Sequence, residues 1–264
     1  MTSPFRLLPI VVVLALTIGC GSTGSVGSYF SRLFGYQTAS DRDIGGDEPS
    51  VLAREAQELM AADSYKDAAA LWQQLKDQYP YSEYAVLAEL KLGDALFLQD
   101  KFIEALAAYE DFERLHPENE AVPYAVYQQG MCFYSRMQGI DRDQTPTIQT
   151  IQTMARLVDI FPTSRYAAMA QARIAEAQNN LAGHEFYVGE FYFHRKDYQA
   201  AMNRYLGLIQ YYPDSGYHQR ALNRIAEYRQ LVSDGAVPED ANLRGAIYDS
   251  PFISTPVNPS GTAF

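Results

Sequence analysis

Residues Gly93–Pro117 read GDALFLQDKFIEALAAYEDFERLHP, and this stretch decides the fold. Counted from its first residue, Phe102 stands at offset 9, Ala105 at 12, Tyr109 at 16 and the closing proline at 24. Apolar side chains three and four residues apart line one face of a helix, and proline ends a helix because it lacks the N–H donor. The stretch therefore predicts two antiparallel helices that approach each other at the glycine, with aromatic rings between them.

The same five offsets occur twice more in the chain. They are held by Ala56, Tyr65, Ala68, Trp72 and Pro80 in one unit, and by Gly189, Tyr198, Ala201, Tyr205 and Pro213 in another. Helix pairs with this spacing are typical of the tetratricopeptide repeat, in which neighbouring pairs stack and share a core. We interpret all of these residues as core packing residues rather than as parts of a site.

A further unit, which opens at Gly130, is longer than the others. Its closing Pro162 lies 32 residues on instead of 24, and the extra residues fall in a polar loop, Gln138–Thr147. An additional helix over Ser164–Leu181 precedes Gly189. The pattern predicts an all-α solenoid of five helix pairs, with helices over residues 51–62, 65–79, 82–98, 102–115, 121–137, 146–161, 164–181, 184–195, 198–211 and 215–232.

Four residues of strong N-cap type follow the helix-ending prolines at a constant distance. Each stands two residues after its proline, and they are Ser82, Asn119, Ser164 and Ser215. An N-cap side chain accepts a hydrogen bond from a free N–H group in the first turn of a helix. We therefore expect each of these residues to begin the helix that follows it.

A short apolar segment precedes the repeats. Leu7–Gly19 stops at Cys20 and is shorter than the about 20 residues that span a bilayer, so it fits a secretory signal. Because a cysteine follows, the segment resembles the bacterial lipobox, which implies a diacylglycerol and an N-linked acyl chain on Cys20. The alternative is an ordinary secretion signal with a chance cysteine. Gly21, in place of aspartate, favours the periplasmic face of the outer membrane.

The composition predicts irregular segments on both sides of the repeats. Residues 20–50 are rich in Gly, Ser and Asp, and the last residues of the chain are rich in Pro, Gly and Ser. The predicted layout is a signal peptide over 1–19, a flexible tether over 20–50, a repeat array over 51–232 and a disordered tail over 233–264.

The chain is acidic, with 21 basic and 32 acidic residues and a net charge of −11. This balance argues against nucleic acid and against electrostatic docking on anionic lipid, because both need a basic surface. The lipid on Cys20 is then what holds the protein to its membrane. If Cys20 is acylated, Cys132 has no partner for an intrachain disulfide, and its apolar helical surroundings predict a buried thiol.

A search for catalytic residues finds no constellation. The four histidines form no His-Glu-x-x-His pattern, and the chain has no paired-cysteine motif and no glycine-rich phosphate loop. His184 and Glu185 form the strongest single candidate, at a predicted helix start where a glutamate meets the helix dipole favourably. Asp141–Asp143 is interpreted as solvated loop charge. We therefore expect no enzyme activity, no metal and no cofactor other than the covalent lipid.

Binding surfaces are the more promising sites. In solenoids of this kind the first helix of each pair lines the concave face. The side chains that we predict to form an apolar groove there for an extended peptide are Leu90, Phe97, Tyr127, Met131 and Tyr134. The alternative is that several of them pack against the facing helix. On an outer helix, Asn203 and Arg204 stand between core positions. Arg204 is placed to reach a carboxylate on a partner, and the alternative is a solvated arginine.

Several local runs carry a family resemblance. The first is Ile140–Asp143 in the insert, and the second is Phe186–Tyr192, which leads into Asp197–Tyr205 and is closed by Tyr212–Ser215. Together with the lipid cysteine and the helix pairs, these runs make Val51–Val232 resemble the BamD, or ComL-like, lipoproteins of outer-membrane protein assembly.

The resemblance implies a non-enzymatic role. Members of that family hold a β-barrel insertase, other assembly lipoproteins and unfolded outer-membrane proteins on the periplasmic side of the outer membrane. The resemblance assigns the predicted groove to binding of the substrate, and Asn203 and Arg204 to binding of the insertase. The alternative function is another envelope repeat lipoprotein, one that coordinates cell-wall synthesis or division. An envelope hydrolase would need a catalytic constellation in the groove, and the sequence shows none.

Overall fold

The computed structural model describes residues 49–236, which lie in one compact unit. Every regular element in this range is an α-helix, so the predicted all-α class is confirmed. The helices are α1 Pro49–Ala61, α2 Tyr65–Gln78, α3 Ala85–Phe97, α4 Phe102–Leu115, α5 Val122–Tyr134, α6 Thr145–Ile160, α7 Arg165–His194, α8 Tyr198–Tyr211 and α9 His218–Ser233. The predictions on the signal peptide, Cys20, the tether before Pro49 and the tail beyond Ala236 lie outside the described residues.

Helices that follow one another in the chain pack on one another, as expected for a solenoid. The residues predicted at offsets 12 and 16 all lie fully buried between the two helices of their pair. They are Ala68, Ala105 and Ala201, and Trp72, Tyr109 and Tyr205. A buried aromatic side chain of this size removes roughly 150–250 Å² from water, so these rings dominate the stability of each pair. Within residues 49–236, no helix has both the length and the apolar composition needed to cross a bilayer.

The small residue at the start of a repeat is required by the approach of the second helix. A Cβ atom on Gly93 would lie 2.7 Å from the Tyr109 ring, and one on Gly189 would lie 2.5 Å from the Tyr205 ring. In the longer unit, the thioether of Met154 takes the place of the tyrosine and approaches Gly130. The insert therefore lengthens the unit without changing how its two helices meet.

Helix α7 differs from the prediction, because the two helices expected over 164–181 and 184–195 are one helix, Arg165–His194. The array therefore has nine helices within the described residues instead of ten. A single glycine costs a helix only about 1 kcal/mol, and no proline lies in this stretch. At Gly183, moreover, the missing side chain makes room for Ile140 and Tyr217, whose atoms would lie 2.7 and 3.0 Å from a Cβ. Glycine is used here for packing and does not end the helix.

The prolines end helices as predicted, but only one of the four predicted caps begins a helix. The C-cap residues that precede the prolines are Tyr79, His116, Phe161 and Tyr212. Ser164 caps α7 by accepting a bond from the Tyr166 N–H at 3.2 Å. After Ser82 and Ser215 the chain makes a further turn, so that α3 and α9 begin three residues later. The Asn119 side chain bonds to the Ala121 N–H, and α5 likewise begins three residues on.

The turn between the two helices of a pair has a recurring backbone conformation. Asp63, Asp100 and Lys196 each stand seven residues after the small residue of their repeat, with φ of 58°, 59° and 64°. This left-handed region costs an ordinary L-residue about 1–2 kcal/mol, and aspartate tolerates it better than lysine. Lys196 is therefore the most strained of the three.

Replacing Lys196 by glycine is expected to raise the free energy of unfolding by about 1 kcal/mol, because glycine adopts the left-handed region without steric cost. Thermal unfolding followed by circular dichroism measures the change, which corresponds to roughly 2–4 °C. Asp100→Gly is the matched control and should gain less. A lower melting temperature for Lys196→Gly would show that the lysine side chain stabilises the turn.

Candidate binding surfaces

The predicted apolar groove lies largely inside the core. Leu90 and Tyr127 are only 8% and 7% exposed. Both belong to a hydrophobic core cluster that extends from α3 through α4, α5 and α6 to α7. Phe97 packs edge-on against Phe102 at 5.3 Å between ring centroids, and Met131 is half-buried against the same cluster. For these side chains the structure shows the alternative arrangement, packing against facing helices, and little of their surface is left for a ligand. Their role in binding a peptide stays a prediction.

Tyr134, the last of the predicted groove residues, takes part in a polar cluster on α5 and α7. Its hydroxyl donates to the Glu176 carboxylate, and the Arg173 guanidinium lies 4.9 Å from its ring centroid. Arg173 also bonds to Glu176 at 2.8 Å. The hydrogen bond to Glu176 raises the pKa of the Tyr134 hydroxyl, and the same bond lowers the pKa of Glu176. This part of the surface is polar and aromatic rather than apolar.

Two carboxylates occupy equivalent places in different repeats. Asp94 and Glu190 each follow the small residue of a repeat. Asp94 accepts bonds from the hydroxyls of Tyr109 at 2.8 Å and Tyr124 at 2.7 Å, and it pairs with Lys91 at 2.8 Å. Burial comes first among the causes that raise the pKa of both tyrosines, followed by the adjacent Asp94 charge.

Glu190 repeats this arrangement near the other end of the array. It accepts a bond from the Tyr205 hydroxyl at 2.6 Å and two bonds from the Arg224 guanidinium at 2.7 and 2.6 Å. Burial raises the pKa of Glu190, but the bonds from Arg224 and Tyr205 outweigh burial, and the net pKa is lowered. The signal in the sequence is an acidic residue at offset 1 combined with a tyrosine at offset 16.

The unfolding free energy is expected to fall as the pH drops from 5 to 3. The folded pKa of Glu190 is lowered, so the stability that it contributes is present above the unfolded pKa and is lost as the pH falls through the folded value. Glu113, whose bonds with Arg156 and Gln129 outweigh burial, has the same sign. Urea unfolding at a series of pH values measures the slope.

In that series, Glu190→Gln should show a shallower decline below pH 5 than the unaltered protein. Glu118→Gln, at an exposed loop position, is the control and should keep the full slope. An unchanged slope in Glu190→Gln would contradict the assignment of this carboxylate.

The outer helix α8 does not present Arg204 in the way the sequence suggests. Its guanidinium binds Glu185 of α7 at 3.0 Å, and Glu185 is only 3% exposed. Arg204 thus joins two helices of the same chain, and the fully solvated arrangement does not apply to it. Asn203, its neighbour, is half-buried. Whether these residues also contact an insertase stays a prediction.

The insert between α5 and α6 is held against α7. The His184 Nδ1 donates to the Ile140 carbonyl at 2.7 Å, and Asn180 donates to the Gln138 carbonyl at 3.0 Å. The buried Gln144 side chain donates to the Gly139 carbonyl at 2.9 Å and fixes the loop internally. His184, the strongest catalytic candidate of the sequence, therefore anchors the insert.

No group of metal-binding side chains occurs among residues 49–236. Asp141, Arg142 and Asp143 are exposed at the tip of the insert, and Arg142 lies 3.5 Å from Asp141. Cys132 is buried, as predicted, and burial raises the pKa of its thiol to about 12. Such a thiol is almost entirely protonated at neutral pH and is a poor nucleophile.

The stacked helix pairs, the repeated offsets and the polar clusters between the helices define a tetratricopeptide-type repeat protein, a class that binds other polypeptides. Residues 46–243 match the family model YfiO, described as outer membrane lipoprotein. The chain belongs to this family, and the resemblance predicted from its sequence is confirmed.

Relatives from several bacteria carry the name outer membrane protein assembly factor BamD. The protein of Neisseria gonorrhoeae is 33% identical over 181 residues, which cover 65% of this chain and 68% of the relative. That of Caulobacter vibrioides is 24% identical over 243 residues, 92% of this chain and 76% of the relative. That of Vibrio cholerae is 28% identical over 225 residues, 81% and 92% of the two chains.

Proposed function

We propose that this chain is an outer-membrane lipoprotein of a β-barrel assembly machine. It holds an insertase and unfolded outer-membrane proteins together on the periplasmic side and carries out no covalent chemistry. The observation that carries the proposal is the family match over residues 46–243, supported by relatives named as outer membrane protein assembly factors. The match spans all nine described helices, so the proposal rests on the whole array rather than on one motif.

The physical properties of the array suit a scaffold. A stack of helix pairs offers a long surface on which each repeat contacts only its neighbours, so separate partners can bind to separate repeats. The chain carries 20 tyrosines. Each tyrosine combines an apolar ring with a hydroxyl that forms hydrogen bonds, so one side chain can supply both kinds of contact. Localisation would come from the acyl chains on Cys20, since two or more chains give stable membrane anchoring.

Co-purification in detergent tests the proposal directly. The full-length acylated protein should bring with it a large β-barrel subunit and further assembly lipoproteins. Recovery of cell-wall synthases or division proteins in their place would support the alternative function and reject this one. Mass spectrometry of the mature N-terminus should show an acylated Cys20, and Cys20→Ser should release the protein from membranes. A non-acylated, membrane-bound chain would contradict the proposed anchor.

Substrate binding can be tested at Tyr134. Tyr134→Ala is expected to weaken the binding of a peptide with the terminal strand sequence of an outer-membrane β-barrel protein by about tenfold, because truncation removes an aromatic contact of hot-spot type. Fluorescence anisotropy of the labelled peptide measures the affinity. Tyr81→Ala is the matched control, since Tyr81 is fully exposed in the loop before α3. Equal affinities of the Tyr134 and Tyr81 variants would remove Tyr134 from the substrate site.

A further inference from the structure

One face of the C-terminal half of α7 is open to solvent although it carries large aromatic side chains. Tyr187 is 48% exposed and Phe191 is 52% exposed. The two lie four residues apart and therefore share a helix face, and Arg195 follows at the same spacing. The Arg195 guanidinium lies 5.3 Å from the centroid of the Phe191 ring. We refer to Tyr187, Phe191 and Arg195 as the open aromatic face.

The repeat shows what this face does elsewhere in the array. The open aromatic face stands at offsets −2, +2 and +6 from its glycine, and in the unit that opens at Gly93 the last two of these offsets are held by Ala95 and Gln99. Ala95 is completely buried, and Gln99 donates to the Tyr65 carbonyl of the preceding helix pair at 3.0 Å. In the unit that opens at Gly130, Cys132 holds offset +2 and is buried as well. This is the face that a repeat normally packs against the pair before it.

The continuation of α7 explains why the face is uncovered in the last repeat. The N-terminal half of the helix, with Ala170, belongs to the core that it shares with α5 and α6. The C-terminal half, with Ala182 and Phe186, belongs to the next core. The insert reaches α7 at Asn180 and His184, one turn before Tyr187. The position that is small and buried in the units opening at Gly93 and Gly130 is thus a phenylalanine with half of its surface in water.

The charges beside the open aromatic face are positive. Arg195 and Lys196 are both exposed, whereas the next carboxylate, Asp197, accepts a bond from the Ala200 N–H as the cap of α8. Residues 121–236 carry eleven basic and ten acidic residues, against six and fifteen in residues 49–120.

We propose that the open aromatic face binds an acidic surface of a protein partner. Phe191 and Tyr187 insert into an apolar depression of that partner, and Arg195 and Lys196 pair with carboxylates at its rim. The inference rests on the proposed function, in which the partner is the periplasmic part of the insertase. It moves the expected contact from Asn203 and Arg204 on α8 to the adjoining helix α7, where the aromatic side chains are exposed.

The test is a titration of the immobilised full-length protein, in detergent, with the purified periplasmic domains of the β-barrel insertase from the same cells. Phe191→Glu should lower the affinity at least about tenfold, as expected for a central aromatic anchor. Arg195→Glu should also lower it and should weaken its salt dependence. Met169→Glu is the matched control, because Met169 is 46% exposed on the same helix and lies roughly 33 Å from Phe191 along the helix axis. All three variants should keep the melting temperature of the unaltered protein, because the replaced side chains are largely exposed.

The outcomes separate this inference from the function on which it rests. If the unaltered protein binds the insertase domains and Phe191→Glu binds them equally well, the open aromatic face is not the contact, while the proposed function stands. If Phe191→Glu weakens binding and Arg195→Glu does not, the proposal that the partner surface is acidic is overturned. If the unaltered protein does not bind these domains at all, the insertase contact of the proposed function fails as well.

Discussion

Replacing Gly189 by alanine is expected to lower the free energy of unfolding by about 2 kcal/mol. The added methyl carbon would lie 2.5 Å from the Tyr205 ring, which is fully buried and held by its bond to Glu190. Because the buried ring cannot turn away, we expect the upper end of the usual overpacking cost, about 3 kcal/mol, less the about 1 kcal/mol that alanine gains over glycine inside a helix. Two segments of backbone would have to move apart before the methyl group fits.

Gly130→Ala is the matched control, because the same offset faces a different side chain there. The nearest atoms are the terminal methyl and sulfur of Met154, at 2.6 and 2.8 Å, and the end of this flexible side chain can turn away. The gain in helix propensity should then offset the cost of moving the Met154 side chain, so Gly130→Ala should be as stable as the unaltered protein within about 0.5 kcal/mol. Urea unfolding followed at 222 nm compares the two variants.

A second comparison isolates the contact with the ring. If the steric conflict with Tyr205 is the cause, then Gly189→Ala should cost less in a Tyr205→Leu background than in the unaltered protein. Equal costs in both backgrounds, or equal stabilities of the Gly189 and Gly130 variants, would show that the close approach is relieved elsewhere.

The repeat itself could be predicted from the sequence, because its determinants lie close together. Ala105 and Tyr109 are only 12 and 16 residues from Gly93, and each offset is set by helix geometry and one short turn. The same reasoning failed at Gly183, where it predicted a break between two helices and the structure has one helix. A lone glycine occurs both at helix ends and inside helices, so the sequence alone does not distinguish the two cases. Here Ile140 and Tyr217, from two other segments, decide in favour of a continuous helix.

The polar contacts could not be predicted, because they join residues far apart in the chain. Asp94 binds hydroxyls 15 and 30 residues away, and Arg204 binds a carboxylate 19 residues away. Helical periodicity identifies the face on which a residue lies, but the partner depends on how the helices cross. For the same reason, Leu90 and Tyr127 could be placed on the first helix of a pair but not assigned to groove or core.

Replacing Arg204 by glutamate is expected to have the largest effect on the fold, a loss of about 3–5 kcal/mol. The change puts a second carboxylate beside Glu185, which is almost completely buried and is paired with Arg204 at 3.0 Å. Removing one member of a buried ion pair costs this much because the remaining charge keeps its desolvation without its counter-ion. A loss of this size is a large part of the 5–15 kcal/mol that stabilises a typical domain.

Urea unfolding measures this loss, and a neutral pair provides the control. Glu185→Gln combined with Arg204→Met removes both charges and keeps the side-chain volumes similar, so it should recover most of the stability. If Arg204→Glu unfolds at the same urea concentration as the unaltered protein, the ion pair does not hold α7 to α8.

The same pair of variants decides whether Arg204 has a role at an interface. A damaged repeat and a lost contact would each abolish insertase binding in Arg204→Glu. This variant alone therefore does not distinguish the two causes. The neutral double variant keeps the repeat folded and removes the guanidinium. Full binding by that variant would assign Arg204 to the fold alone, whereas weakened binding at unaltered stability would place it at the contact, next to the open aromatic face.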